Sequence, residues 1–398
     1  VSWQSVETGS TMTAVAGNGY PIDTTSNACT ITLPASASNG DQIVFTDYAR
    51  NWGTNAITID SNGLNYQGDD DTWTVKYDTD GQSVNIVYSG STNGWIPIED
   101  DTVTDAPLVL NSEGIFGFGN DGSRVGYTNL VSNTGVVATD VTAVGTARSA
   151  PAACEYGVDK GIFGFGNEGS VCDITNLVSN AGVVATDVTG VGTAKEQLAA
   201  CSYGGDKGIF GFGYIPGSGY LSATNLVSNA GVVGSDVTGV GTAKYGPAAC
   251  EYGGDKGIFG FGYTDAHTAD TNLVSNAGVV STDVTGVGTA RGENLAACSY
   301  GEDKGIFGYG YHDGSLSMTN LVSNTGVVAT DTTGVGTARG YLAACEYGGD
   351  KGIFGFGYSH TLISKLSVTN LVSNAGVVAT DTAGVGTARE NPAACSFN

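Results

Sequence analysis

Several things are scarce in this 398-residue chain, and each scarcity excludes something. Positive charge is scarce: 15 Lys and Arg stand against 39 Asp and Glu, for a formal net charge of −24. No nucleic-acid partner is expected, because the phosphate backbone selects clustered Lys and Arg. An anionic membrane surface is disfavoured for the same reason. Long apolar runs are absent. None approaches the roughly 18 residues needed to span a bilayer, so no membrane insertion is expected. No signal peptide is visible, and the chain opens at Val1 rather than Met, so an upstream segment is expected to have been removed or left out. Proline is scarce (8 residues) although glycine is not (63). Together they fall below the level that signals disorder, and the 40% of hydrophobic residues suffices for real cores. Histidines number three, and the eight cysteines include no CxxC pair and no Cys/His metal spacing, so neither zinc nor another cofactor is expected.

What is present is repetition. The stretch GIFGFG begins at Gly114, Gly161, Gly208, Gly257 and Gly352, and its variant GIFGYG at Gly305. The steps are 47, 47, 49, 48 and 47 residues. A period of that length with several short strand patterns per copy means a propeller or solenoid. It also excludes a phosphate-cradling loop, which is used once and opens a helix. Four strand candidates occur in the copy from Pro247 to Arg291: PAACEYG (247–253), KGIFGFGY (256–263), TNLVSN (271–276) and VVSTDV (279–284). Tight-turn residues join the first to the second and the third to the fourth. Four antiparallel strands in six copies predict a six-bladed β-propeller.

The copies are offset at the ends. The first GIFGFG has no AAC strand before it, and the last AAC, ending at Cys395, has no GIFGFG after it. A closed ring resolves this: Pro392–Phe397 pairs with Gly114–Asn120, which also removes two aggregation-prone edges. Six of the eight cysteines follow two alanines in these strands and read as small buried hydrophobes. Cys172 reads as a loop residue. Within strand 208–213 the simple alternation sends Phe210 and Phe212 to one face and Ile209, Gly211 and Gly213 to the other. The glycines would then make room for the phenylalanines of a neighbouring copy.

The repeats resemble kelch-type repeats. A basic residue precedes each first strand (Arg148, Lys195, Lys244, Arg291, Arg339, Arg389), and the second strand is apolar and then glycine-rich. The likeness covers about 285 residues. It departs from the family in carrying Gly-Phe-Gly for the Gly-Gly doublet and no tryptophan in any repeat. Similar glycine-rich arrays occur in bacteriophage tail fibres and appendages. Residues 1 to about 105 do not repeat. They hold all four tryptophans and 14 acidic residues against Arg50 and Lys76. Strand patterns at 29–36, 41–48, 55–61, 73–78 and 83–89 fit a small β-sandwich or barrel, and Asp100–Pro107 reads as a linker. The run TLPASASNGDQIVFTDYA with its following strands resembles a small β-domain of phage tail-fibre proteins. Asp69, Asp70 and Asp71 read as a solvated acidic loop rather than a calcium site, because EF-type spacing is absent. The expected architecture is therefore all-β: a small β-sandwich or barrel (1–105) followed by a six-bladed kelch-like propeller (106–398) closed by the C-terminal strand.

Comparison between copies separates two faces. YG-x-D-K and SN-[TA]-G turns are nearly uniform. The loops after GIFG and the links between copies diverge, and they hold all three histidines and many tyrosines. Divergent aromatic loops on a fixed scaffold are where binding lives. The candidate ligand residues are Tyr214, Tyr220, Tyr245, Tyr263, Asp265, His267, Tyr311, His312, Asp313, Tyr341, Tyr358 and His360. Flat rings with hydrogen-bonding edges match sugars.

No catalytic residue is expected. Catalysis needs a unique acid, base or nucleophile, whereas Asp140, Asp187, Asp236, Asp283, Asp331 and Asp381 are six-fold copies, read as capping turns or holding the links between repeats. No sialidase box is present, and the loop carboxylates Glu168, Asp265, Asp270 and Asp313 carry no glycosidase motif. The resemblance implies a virion fibre or appendage protein whose propeller binds a host surface glycan or receptor and whose N-terminal domain contacts other virion proteins. A structural virion component is the alternative, with a polysaccharide depolymerase and a cellular surface protein behind it. Fibres of this kind are often homotrimers, though no heptad or triple-helix signature requires one here.

Overall fold

The computed structural model describes residues 1–69, 75–102, 113–142, 144–292 and 295–397. These residues form strands and no helix. The chain divides into two compact units, Val1–Leu108 and Val109–Asn398.

The first unit has nine strands: β1 (Ser2–Trp3), β2 (Thr11–Thr13), β3 (Asn18–Ile22), β4 (Cys29–Thr32), β5 (Gln42–Asp47), β6 (Ile57–Asp60), β7 (Val75–Tyr77), β8 (Gln82–Tyr88) and β9 (Trp95–Thr102). The first six alternate between two sheets, β1-β3-β5 and β2-β4-β6, each pairing in parallel. Strand β7 then adds antiparallel to β6, β8 to β5, and β9 to β8. Apolar residues alternate along β8, and both sheets share one core around Ile31, Phe45, Trp52, Ile59, Ile86 and Trp95. Strand β9 runs through Asp100 and Asp101, which the sequence reads as the start of a linker. Backbone pairing with β8, such as Val84 opposite Asp100, sets the strand end despite the acidic side chains. The remainder of that linker lies outside the described residues, as do Asp70 and Asp71.

The second unit contains six three-stranded sheets. In each, a middle strand carrying KGIFG or EGIFG lies between an inner AAC strand and an outer TNLV strand. In the third repeat these are Lys207–Gly211, Ala199–Tyr203 and Thr224–Val227. The first repeat takes its inner strand from the C-terminus. Ala393–Phe397 pairs antiparallel with Glu113–Asn120, from Glu113 opposite Phe397 to Gly117 opposite Ala393. Each inner strand packs against the next, and Ala393–Phe397 also packs against Ala152–Tyr156 and Ala343–Tyr347.

The expected fourth strand is reduced to two isolated bridges per repeat, such as Thr271 with Val284 and Val274 with Val280. Between the bridges the Asn272 side chain takes the place of the ladder. Its Nδ2 donates to the Ser281 carbonyl (3.2 Å) and to Asp283 Oδ1 (2.9 Å). Cys172 is not in a loop; it lies buried in strand Val171–Val178. All eight cysteines are buried and free.

Adjacent repeats interlock through glycine. A Cβ on Gly211 would lie 2.8 Å from Cζ of Phe259 in the next repeat, and one on Gly355 would lie 2.7 Å from Phe116 of the first. The alternation expected for the two phenylalanines fails, for a stated reason. Phe212 adopts φ +64°, which turns its ring to the side of Ile209 and Phe259, while Phe210 joins Ile162 and Phe165 of the preceding repeat. The same positive φ recurs at Phe118, Phe165, Phe261, Tyr309 and Phe356. A bulky residue adopts that conformation only where its surroundings over-determine it.

The basic residue of each link supplies part of that determination. Arg148, Lys195, Lys244, Arg291, Arg339 and Arg389 are fully buried. Each lies over the ring of a positive-φ aromatic, at distances from 3.9 Å (Arg389 on Phe356) to 5.1 Å (Lys244 on Phe212). Five then bond the asparagine of the following repeat, as Lys195 Nζ does with Asn225 Oδ1 (2.8 Å) and Arg389 Nη2 with Asn129 Oδ1 (2.7 Å). In the second repeat Arg148 Nη2 and Asn176 Oδ1 are left buried without a partner. The six-fold aspartates complete the joint. Asp187 accepts from the Thr146 N–H (3.0 Å), the Thr146 hydroxyl (2.7 Å) and the Asn176 amide (2.9 Å).

Two outcomes follow for unfolding experiments. Gly211→Val forces two methyl groups against Phe259 and is expected to cost about 1–3 kcal/mol; a thermal melt coinciding with wild type would refute the interlock. Burial raises the Asp187 pKa, but the Thr146 and Asn176 hydrogen bonds outweigh it and the net direction is down; the other five copies behave alike. A depressed folded pKa contributes stability that is present above the unfolded value near 3.8 and lost as pH falls through the lower folded one. Stability measured by chemical denaturation should therefore decline as pH drops below about 4, and less steeply in Asp187→Asn.

Candidate functional site

The inner–middle and outer turns share one side of each repeat. Asn229 Nδ2 of the SNAG turn donates to Asp206 of the GGDK turn (3.0 Å), and Gly157 N–H reaches the Asp206 carbonyl (2.8 Å). The divergent loops and the links meet on the other side, through a recurring bridge. The first link residue pairs with the first loop residue of the repeat it enters: Ser149 with Asn167, Glu196 with Tyr214, Tyr245 with Tyr263, Gly292 with Tyr311, Gly340 with Tyr358 and Glu390 with Asn120. Loop side chains of one repeat are thereby set beside those of the next.

In the third repeat the loop is a small hairpin, Tyr214–Ile215 with Gly219–Tyr220, which pairs the two tyrosines. Their rings lie 5.9 Å apart, and Tyr245 from the next link lies 5.9 Å from Tyr214 and 5.2 Å from Tyr220. Tyr245 is 5.4 Å from Tyr263, which is 5.4 Å from His267. His267 continues to Tyr311 (6.0 Å) and His312 (5.1 Å). Tyr311 meets His360 (4.6 Å), and His360 meets Tyr358 (5.0 Å) and Tyr341 (6.2 Å). Ten of the twelve sequence-predicted residues thus form one unbroken run of rings across the third to sixth repeats. Most are half-buried, while His312 and His360 are exposed.

Asp265 and Asp313 are not in the run but are exposed in its loops, both with positive φ (136° and 54°). Asp313 lies 3.7 Å from His312 Nε2. Asp270, one of the loop carboxylates without a glycosidase motif, accepts from the Gly286 N–H (3.1 Å) and so holds its loop. The last loop is tied to the fifth: His360 N–H donates to Ser315 Oγ (3.0 Å), and the same hydroxyl lies 3.1 Å from His360 Nδ1. The Tyr220 phenol is held above its ordinary pKa by loss of solvent and then by the Asp265 charge.

The sequence reading missed a polar sector on the loops of the sixth, first and second repeats. Arg124 Nη2 bonds Asn167 Oδ1 (2.8 Å), Asn167 Nδ2 bonds Glu196 Oε2 (2.9 Å), and Lys365 Nζ bonds Asn120 Oδ1 (2.6 Å) beside Glu390 (3.4 Å). A signal was available: Arg124 and Lys365 are the two cations in the divergent loops. Each NDGS or NEGS loop also folds on its own first residue, as Gly122 N–H does on Asn120 Oδ1 (2.9 Å).

The arrangement offers partly exposed tyrosine and imidazole faces for stacking, hydroxyl and ring-nitrogen edges for hydrogen bonding, and carboxylates alongside. Among the described residues no three of His, Cys, Asp and Glu are grouped to hold a metal ion. No protein-family model matches the chain, and no curated protein is detectably similar to it. Tyr220→Ala removes a ring that takes no part in the glycine interlock. Its melting temperature should stay within about 2 °C of wild type; a loss as large as that of Gly211→Val would make the run of rings a structural element.

Proposed function

We propose that the six repeats are the blades of a kelch-like β-propeller closed by the C-terminal strand, and that its divergent face binds a host-surface glycan. The protein is then a non-enzymatic virion fibre or appendage component, with the N-terminal unit contacting other virion proteins. Closure is supported by the pairing of Ala393–Phe397 with Glu113–Asn120 and by the packing of Gly355 on Phe116. The binding reading rests on one observation, the unbroken run of ten rings on the loops that differ between copies. Aromatic rings cover the apolar faces of sugars while their polar edges answer the hydroxyls. Asp265 and Asp313 beside the rings, and the engagement of Lys365 with Glu390, favour a neutral saccharide over a sulfated or carboxylated one.

The reading as a structural virion component is favoured by a different feature. Val136, Val183, Val232, Val279, Val327 and Val377 are 64–66% exposed at equivalent places in all six repeats, a regular apolar trim suited to contact with protein.

The two readings part on a glycan array probed with the full chain. Binding of neutral glycans is expected. Tyr220→Ala with Tyr245→Ala should weaken it about 10–100-fold, at about 0.5–1.5 kcal/mol per stacked ring, while the fold is retained. An array with no binder, or a double variant with wild-type affinity, would overturn the glycan reading.

A further inference from the structure

Four of the six link cations are arginines, and two are lysines, Lys195 and Lys244. They hold the same place but not the same chemistry. A guanidinium stays charged, whereas a buried ammonium gives up its proton and becomes a nucleophile. Lys195 Nζ donates to Asn225 Oδ1 (2.8 Å), and Lys244 Nζ to Asn272 Oδ1 (3.0 Å). Lys195, Asn225, Lys244 and Asn272 are all fully buried. Each amine has one further acceptor, the Ala223 carbonyl at 3.5 Å or the Asp270 carbonyl at 3.3 Å. An aromatic face lies beside it, Phe165 at 4.9 Å or Phe212 at 5.1 Å. Beyond the amide stands the six-fold aspartate. Asn225 Nδ2 donates to Asp236 Oδ1 (2.8 Å), and Asn272 Nδ2 to Asp283 Oδ1 (2.9 Å). Amine, amide and carboxylate thus follow one another by hydrogen bonds, with water excluded from the first two.

A carbonyl bond is about 1.2 Å long, so each Nζ lies within about 4 Å of the amide Cγ. That is near the attack distance of about 3–3.5 Å, and packing holds both partners there. We propose that Lys195 forms an amide bond with Asn225, and Lys244 with Asn272, tying each link covalently to the repeat it enters. The lone pair of the neutral amine attacks Cγ, and the carbonyl π pair moves to Oδ1. A proton passes from the attacking nitrogen to Nδ2, carried by the aspartate already bonded to Nδ2. The Oδ1 pair then re-forms the carbonyl, the Cγ–Nδ2 bond breaks, and ammonia leaves. Amine and carboxamide give secondary amide and ammonia, with no oxidant, reductant or co-reactant. Asp236 and Asp283 are exposed on their far side, which gives proton and ammonia an exit. The bond serves the same end as the rest of the joint, the mechanical union of neighbours. It is independent of the aromatic loops and of the glycan reading.

The proton on the amine sets the pace. Burial, opposed by the Asp236 charge, lowers the Lys195 ammonium to about 8. Burial also lowers Lys244, against Asp283 and Asp270. These aspartates are the charged groups that bear on the two amines. The neutral amine therefore gains population as pH rises through about 8 at Lys195, and the bond should form faster in alkaline solution. The arginine joints are the built-in comparison. Arg291 Nη2 meets Asn320 Oδ1 at 2.7 Å, with Asp331 on the amide nitrogen at 2.9 Å, and has no amine to give.

The test is the intact mass of the full chain, held folded at pH 6 and at pH 9, followed by sequencing of its proteolytic peptides. Expected is a loss of about 17 Da, one ammonia, for each of the two bonds. Branched peptides should join Lys195 to Asn225 and Lys244 to Asn272, and they should accumulate faster at pH 9. Lys195→Arg and Lys244→Arg install the arginine of the other four joints, so both are expected to fold. Each should abolish one loss and leave the other. Asp236→Asn should slow the first bond about 100-fold or more and leave the second unchanged. A folded chain that keeps its full sequence mass after days at pH 9 would overturn the proposal. So would an ammonia loss that persists in Lys195→Arg/Lys244→Arg, which would place it at an Asn-Gly step such as Asn62-Gly63 and not at the joints.

Discussion

Neighbouring repeats meet where a phenylalanine ring occupies the space a side chain would need. The first phenylalanine of each GIFG stands where the Cβ of the preceding repeat's second glycine would project, at 2.7–2.9 Å in all six instances. Burying such a ring contributes about 1.5–3 kcal/mol, and the contact is available only if the facing residue has no side chain. Gly208 repeats the device on the other face, where a Cβ would lie 2.5 Å from Cys154 Sγ. The small AAC strand is its counterpart, since the inner strands approach one another too closely for larger residues. Glycine weakens a strand taken alone; here the weakness is the condition for close packing between sheets.

That packing explains why the second aromatic turns over. A strand continuing in simple alternation would send Phe212 back toward the preceding repeat. The left-handed residue instead puts both phenylalanines to use, one on each side of the sheet. It also leaves the ring face open to the link cation. A buried Lys or Arg needs compensation, and it finds an aromatic face, an asparagine oxygen and a nearby aspartate. The cation, the asparagine and the aspartate come from a link and the repeat it enters, so the joint is made only when neighbouring repeats are docked. The six acidic residues that looked repetitive from sequence thus have one task, and it is mechanical.

The period, the strand carrying GIFG and the offset that pairs the C-terminal strand with Glu113–Asn120 were legible because they are repeated or conspicuously unpaired. The positive φ at Phe212 was not legible, because periodicity assigns a face only while the backbone stays extended. Nor was the loss of the fourth strand, which depends on Asn272 reaching across to Ser281. In the first unit the strands with strong alternation could be read, whereas β1 and β2 are short, β3 carries Gly19 and Pro21, and β9 ends in acidic residues that look like loop. The candidate site was legible as a set of loops. Its continuity was not, since adjacency of Tyr245 to Tyr220 and Tyr263 comes from a link-to-loop bridge that no local pattern announces.

A scaffold this uniform constrains where novelty can sit. Any change in the GIFG or AAC core must satisfy two repeats at once, so most variation sits outside it. Two kinds stand out: the loops beyond the end of the middle strand, and the inner-strand position after AAC, where glutamate and serine alternate. The first kind is free to differ in all six copies and yields an irregular run of rings over four repeats and a polar sector over two. In five copies the second lines one narrow cavity shared with the others, so it cannot vary independently. Charge at one copy constrains charge at the next, and alternation of glutamate with serine is the simplest pattern that separates the carboxylates. Order on the inner strands and irregularity in the loops are two outcomes of the same interlock, set by whether a position sees its copies or only solvent.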